Sequence, residues 1–287
     1  MSKIYESPDN GKTVYEREVG NYEVKKRVNK LKRITDYDKN LPIVEIYTAV
    51  QSEGSRAGYP TVVIRTTGCT HRCYFGEGGW CDSWYTSIHP EKGKFSFNDI
   101  IKAYEDNPHI KEMMLTGGSP TMHAALVNEL THFAHEKDIF ITIETEGSHF
   151  LPTDYPINLL SISPKFSNSV PVLGVSTPQG GTTDERMIKT HNRLRLNYEA
   201  IKQSIEYHSD FHIKPVWDGL DKSALAEIMN CIETLNVPQN KVWFMPAGDS
   251  REALFKSYPI LFDWVRDNGY RMTWRPHIIA FEDQREV

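Results

Sequence analysis

The chain has 287 residues, enough for one large α/β domain or two small ones. With 39% hydrophobic and 25% charged residues it reads as a folded protein and not a disordered one, and a net charge of −5 gives it no general affinity for nucleic acid. The start, Met1-Ser2-Lys3-Ile4-Tyr5, has no apolar signal core and no stretch is apolar for long enough to span a membrane, so a cytoplasmic protein is expected, in which clustered cysteines mean metal or catalysis more often than disulfides.

Residues 1–41 are polar and charged, and Lys25 to Arg33 is locally basic. A charged N-terminal extension is expected there, as a solvated helix or arm; a binding surface for nucleic acid or a partner is the sharper alternative. Ile43 to Tyr47 is a plausible first strand, and the β-branched run Thr61 to Thr66 a second, buried one. Phe97 to Glu105 should be helical with Ser96 as N-cap, Glu112 to Thr116 a strand, Ala124 to Lys137 a helix, and Ile139 to Glu144 and Leu159 to Ser163 strands. Thr177 to Asn192 starts polar and glycine-rich, which predicts a long loop or insertion near 168–195. Helices are expected over Leu196–His208, Ser223–Leu235 and Arg251–Asp267, and strands over Phe211–Val216, Val242–Pro246 and Arg271–Trp274. Such alternation implies βα units and a mainly parallel sheet in a domain spanning 42–287.

Polar motifs fall repeatedly after these strands, where α/β folds gather their ligands. The first holds three of the four cysteines, Cys69, Cys73 and Cys81, in the spacing C-x3-C-x7-C. Three thiolates on one loop can hold three corners of a four-iron, four-sulfur cluster and leave one iron open. A structural zinc site would want a fourth protein ligand, with His71 or His89 as candidates. Gly117-Gly118, Glu144-Thr145-Glu146-Gly147, Ser163-Pro164-Lys165 and Pro246-Ala247-Gly248 follow later strands. Taken alone, the glycine pair is a tight turn, Arg65 a strand-end arginine and Asp82-Ser83 a helix cap. Cys231, Trp243, Trp264 and Trp274 read as core, and His208 and His212 do not suggest a metal pair.

Together these residues resemble the radical S-adenosylmethionine enzymes. The set Gln51-Ser52-Glu53-Gly54, Arg65, Gly68-Cys69, Trp80-Cys81-Asp82-Ser83, Leu115-Thr116-Gly117-Gly118, Glu144 to Gly147 and Ser163-Pro164-Lys165 is similar to the 7-carboxy-7-deazaguanine synthase family, with a weaker likeness through Lys214, Met245-Pro246 and His277. The usual family spacing is C-x3-C-x2-C. The family also has Gly where Ser52 stands, Glu where Ser119 stands and Thr where Ser83 stands.

The resemblance implies a partial, open βα barrel. It implies that S-adenosylmethionine chelates the open iron and yields a 5′-deoxyadenosyl radical, which takes a hydrogen from C6 of 6-carboxy-5,6,7,8-tetrahydropterin. Ring contraction with loss of ammonia then gives 7-carboxy-7-deazaguanine, a precursor of queuosine and related deazapurines. By position, Cys69, Cys73 and Cys81 would bind the cluster and Ser83 Mg²⁺. Gly118, Glu144, Ser163, Lys165, Met245, Pro246, Ala247 and Gly248 would hold S-adenosylmethionine, Glu144 at the ribose. Val50, Gln51, Ser52, Glu53, Arg65, Thr116 and His277 would meet the pterin, Arg65 through its carboxylate. An electron donor such as a flavodoxin is implied, no membrane or nucleic acid, and a homodimer is left open. The alternatives are a radical-generating activase acting on a protein and a zinc-stabilised binding module.

Overall fold

The computed structural model describes residues 3–6, 14–18, 26–28, 31–282 and 284–287. The chain begins with three strands, β1 (Lys3–Glu6), β2 (Val14–Glu18) and β3 (Lys26–Val28), paired antiparallel as β1-β2-β3. A sheet thus stands where a solvated helix or arm was expected. Lys25, Asn29 and Lys30 of the basic run lie outside the described residues. The end of that run is docked: Leu31 is buried in the core, and the Arg33 guanidinium binds Glu129 at 2.5 and 2.8 Å.

The main sheet has six strands, β4 (Ile43–Val50), β5 (Pro60–Thr66), β6 (Glu112–Gly117), β7 (Phe140–Thr145), β8 (Leu159–Ile162) and β9 (Phe211–Ile213), hydrogen-bonded in chain order. β4 runs antiparallel to β5; every later pairing is parallel. Single parallel bridges, Ile213 to Val242 and Val216 to Met245, carry the array on to β10 (Trp243–Phe244), which pairs with β11 (Arg271–Met272). The described sheet does not close: the architecture is an open βα barrel.

The crossovers carry α1 (Phe97–Asp106), α2 (Ala124–Lys137), α3 (Glu185–Leu194), α4 (Tyr198–Tyr207), α5 (Lys222–Thr234) and α6 (Arg251–Asn268), and α7 (Pro276–Phe281) follows β11. Ser96 and Asp99 form a reciprocal capping box at the start of α1, so the expected cap is present. α3 corrects the expected loop over Thr177–Asn192. Its amphipathic signal is short and polar, but Asp184 caps it by accepting from the Met187 N–H at 2.7 Å.

Strand alternation places the core. Val62 and Ile64, Met113 and Leu115, Ile141 and Ile143, and Leu160 and Ile162 share one apolar core with Phe97, Ile100, Val127, Leu130 and Phe133 of the helices. The residues between them, Val63, Arg65, Met114, Thr116 and Glu144, line a cavity on the opposite face. Cys231 is fully buried in α5, as expected. Trp264 packs against Phe244 and Tyr270 at the edge of the core. Trp274 departs from its core assignment: it is 49% exposed and leans on Tyr258.

His208 and His212 each serve the frame. The Ile157 N–H donates to His208 Nδ1 at 3.1 Å, and His212 Nε2 meets Ser161 Oγ at 2.8 Å. Burial pushes the His208 pKa down to about 4, partly offset by a hydrogen bond to the Leu151 backbone. The unfolded ring titrates near 6.5, so the unfolded chain takes up this proton first. Stability from this group is complete above pH 6.5 and is lost as pH falls toward 4, by up to roughly 3 kcal/mol. We expect melting temperature to fall over that window and His208→Asn, which keeps an acceptor for Ile157, to flatten part of the slope. An unchanged slope in the variant would reject the assignment.

Candidate active site

The site is built where two backbones touch. The Gly118 N–H donates to Thr66 O at 3.1 Å and the Ser119 N–H to Gly68 O at 2.8 Å. These bonds stitch the turn after β6 to the start of the cysteine loop after β5. A Cβ on Gly118 would sit 1.9 Å from Gly68 O, and one on Gly117, which has φ of +116°, would sit 2.4 Å from Thr66 O. The glycine pair therefore lets backbone meet backbone, a specific form of the expected turn.

The loop is buttressed from the segment 168–195. The Arg72 N–H donates to His191 Nδ1 on α3 at 3.2 Å, and His191 Nε2 meets Ser169 Oγ at 3.0 Å. The Tyr74 N–H donates to Ser169 O, and Trp80 Nε1 to Ser176 O, both at 3.0 Å. The 168–195 segment is thus a brace for the long gap between Cys73 and Cys81.

Cys69, Cys73 and Cys81 are free thiols that face one cavity of about 460 Å³. Burial pushes Cys69 up to about 12 and Cys81 up to about 11, and raises Cys73 well above its ordinary value. Neutral thiols that are costly to ionise alone become thiolates when iron takes the proton's place. The His71 N–H already points at Cys69 Sγ at 3.4 Å, the kind of bond that steadies a thiolate on a cluster. Among the described residues no group of three or more His, Cys, Asp and Glu side chains, the three cysteines included, is placed as it stands to hold a single metal ion. His71, a candidate fourth zinc ligand, has its Nδ1 against Thr70 Oγ1 at 2.8 Å and its Nε2 buried with no hydrogen-bond partner among the described residues. The donor set fits three corners of an iron–sulfur cluster.

Below the thiols lies a buried charge network. Lys214, 3% exposed, donates to Glu53 at 2.5 Å and to Glu144 at 2.6 Å, and Thr116 Oγ1 donates to Glu144 at 2.8 Å. Arg275 binds Glu53 at 3.2 Å, Asp82 and the Gly248 carbonyl. Burial alone would raise the Glu53 pKa, but Lys214 and Arg275 hold it well below the usual carboxylate range. Arg65 gives Nε to Glu45 at 2.7 Å, Nη1 to Ser83 Oγ at 2.9 Å and Nη2 to the Tyr47 hydroxyl at 3.0 Å. One N–H on each terminal nitrogen is left for a ligand.

Most of the expected residues meet in this cavity: Val50, Ser52, Glu53, Arg65, the three cysteines, Ser83, Thr116, Gly118, Glu144, Ser163, Lys165, Met245, Gly248 and His277. Gln51 does not. Its side chain is buried below the cavity floor and donates to Glu112 at 3.4 Å, because alternation sends it opposite to its neighbours Val50 and Ser52. Pro246 and Ala247 do not line the cavity either; Ala247 packs with Met245, Val216 and Phe75 beside it. Ser83 lines the rim, but its hydroxyl accepts from Arg65 and donates to Asp82 at 3.2 Å, so Mg²⁺ there would displace a guanidinium. Sequence reasoning missed Asp82 and Arg275 and gave Lys214 no role. Lys214 ends the β9 run and Asp82 adjoins a cysteine, which was the available signal; nothing local marks Arg275.

Glu146 was also missed. It is buried, and its Oε1 accepts from Ser119 Oγ at 2.6 Å and Thr70 Oγ1 at 3.0 Å. Burial pushing it up is outweighed by His71 and His149 beside it and by the Ser119 bond, so it stays ionised. Its Oε2 is buried with no hydrogen-bond partner among the described residues.

An open, mainly parallel βα barrel with a three-thiol loop at its carboxyl rim and a charged strand face beneath it defines an enzyme of the radical S-adenosylmethionine class. No family model matches the chain. It is 32% identical to the 7-carboxy-7-deazaguanine synthase of Halobacterium salinarum over 252 residues, covering 86% of this chain and 93% of that protein. It is 31% identical to the protein of the same name from Rhodopirellula baltica over 248 residues, covering 86% and 89%. The crystal structure of QueE from Escherichia coli aligns with a TM-score of 0.49 and 17% identity, covering 82% of this chain and 93% of that one. The chain belongs to the 7-carboxy-7-deazaguanine synthase family. Among the described residues no helix is long and apolar enough to cross a membrane.

Two substitutions test this geometry. Gly118→Ala forces the Gly68 carbonyl away, and we expect reconstituted protein to hold less than half the wild-type iron. Full loading would show that the contact is dispensable. Lys214→Met leaves Glu53 and Glu144 without their shared cation and should cost about 3–5 kcal/mol in denaturant unfolding. Adding Glu144→Gln should recover part of that loss. A cost below about 1 kcal/mol would mean that the pair is solvated.

Proposed function

We propose that this chain converts 6-carboxy-5,6,7,8-tetrahydropterin to 7-carboxy-7-deazaguanine, a ring contraction with loss of ammonia in deazapurine and queuosine biosynthesis. The observation that carries the reading is the three free thiols on one rim loop above a polar strand face, in a chain of this family. The cluster and S-adenosylmethionine, when bound, supply the radical chemistry that starts the reaction. The protein binds, orients and shields.

Cys69, Cys73 and Cys81 would hold the cluster. Gly118, Ser163, Lys165, Met245 and Gly248 would line the S-adenosylmethionine site, with Pro246 and Ala247 shaping it from behind. Glu144 sits between Thr116 and Lys214, which fixes its carboxylate while leaving acceptor capacity for ribose hydroxyls. Arg65 is pinned at three of its five donors, so its remaining pair is aimed in advance at the substrate carboxylate. Thr116, Val50, Ser52, Glu53 and His277 would complete the pterin side. Trp80, Trp84 and Phe75 on the wall would exclude water. If Mg²⁺ binds here, Asp82 beside Ser83 is the harder oxygen ligand. Reaction requires a one-electron donor, such as a flavodoxin.

We expect cluster-loaded protein, given S-adenosylmethionine, Mg²⁺, a reductant and the pterin without air, to form 7-carboxy-7-deazaguanine by mass spectrometry. Cys69→Ala should abolish turnover. Arg65→Lys keeps the charge and loses the fork, so KM should rise on the order of tenfold with a smaller change in kcat. Formation of 5′-deoxyadenosine without the deazapurine would keep the class and refute the substrate.

A further inference from the structure

Where the family carries a glutamate after the glycine pair, this chain carries Ser119, and the Ser119 hydroxyl touches a glutamate from a different loop, at 2.6 Å from Glu146 Oε1. The two positions are 27 residues apart in sequence and come together only because the turns after β6 and β7 share one rim. The turn after β6 thus meets a carboxylate brought from the turn after β7.

That carboxylate is set up for a ligand. Ser119 and Thr70 hold Oε1, and His149 Nδ1 lies 3.9 Å away from it, too far for a hydrogen bond. Oε2 has no hydrogen-bond partner among the described residues, although the residue is only 5% exposed and lines the cavity beside the cysteines. A buried anion with an unfilled acceptor is costly unless a donor arrives. On the same cavity wall Lys165 donates to Ser163 Oγ at 2.8 Å and forms no ion pair among the described residues, so its ammonium has donors to spare. An unfilled anion and an unfilled cation flanking one cysteine loop are complementary to the two ends of an α-amino acid.

We propose that Glu146 binds the α-ammonium group of the methionyl part of S-adenosylmethionine through its free oxygen, with Ser119 orienting the carboxylate. Lys165 faces the α-carboxylate. This inference rests on the functional reading above and adds to it a binding residue.

The test is binding, measured by equilibrium dialysis on cluster-loaded protein without reductant. Two probes are used: S-adenosylmethionine, and its analogue lacking only the α-amino group. Wild type should prefer S-adenosylmethionine. In Glu146→Gln that preference should fall about tenfold or more, with affinity for the analogue unchanged and iron content and melting temperature near wild type. The exchange variant Ser119→Glu/Glu146→Ser should restore the preference, which a merely structural Glu146 would not do. A Glu146→Gln protein that keeps the wild-type preference overturns the inference, leaving a buried water or His71 as the partner of the free oxygen. Equal binding of both probes by wild type also overturns it while leaving the class intact. Loaded wild type that binds neither probe refutes the functional reading itself.

Discussion

The ammonium of Lys214 is the point on which the site depends. The inner face of the sheet carries Arg65, Thr116 and Glu144 on strands whose opposite face packs Val62, Ile64, Leu115 and Ile143 into the core, and Glu53 and Lys214 join it from just beyond the ends of β4 and β9. Carboxylates so deeply placed would otherwise take up protons or draw in water. Lys214 joins the loop after β4 to β7 through two carboxylates, and Glu53 passes the connection to Arg275. Arg275 carries it on to Asp82, which adjoins Cys81. One chain of charges therefore runs from the sheet floor to the cluster loop. Removing a link leaves an unpaired buried charge, which costs far more than the link's own net contribution.

The cysteine loop needs a second support because it is long. Seven residues separate Cys73 from Cys81, and a loop of that length has backbone freedom to lose before three thiols can face one cavity. The Gly68–Ser119 backbone bond fixes its start, and His191, Ser169 and Ser176 fix its middle. Bracing of this kind sets thiol positions before iron arrives, so less ordering is left to be done on loading.

The strands of the main sheet and the rim were legible because alternation is a strong local signal. Val62, Ile64 and their neighbours could only be a buried strand, and the motifs that followed had to reach the carboxyl edge. The N-terminal sheet was not legible: β1 to β3 are three to five residues each and rich in charge, and their pairing is tertiary information. α3 was hidden by its polarity, since only His191 of its ten residues is buried. Gln51 was misplaced by carrying over a motif whole, although period-two alternation forbids three successive side chains on one face. Arg275 was beyond reach for another reason: its partner Glu53 lies 222 residues away and nothing local marks it. Lys214 was marked by its place after β9, but its pairing with Glu53, 161 residues away, was not.

Three serines of the site divide by what their surroundings ask of them. Ser52 sits where no glycine is needed: it does not adopt positive φ, and its hydroxyl simply donates to Val50 O at 3.2 Å. Ser83 uses its hydroxyl between a cation and an anion, accepting from Arg65 and donating to Asp82. Ser119 is different, because its hydroxyl donates to a buried carboxylate, Glu146, and so fixes the position of a charge it does not carry. A neutral side chain of this kind shapes the electrostatics of the cavity through the residue it touches.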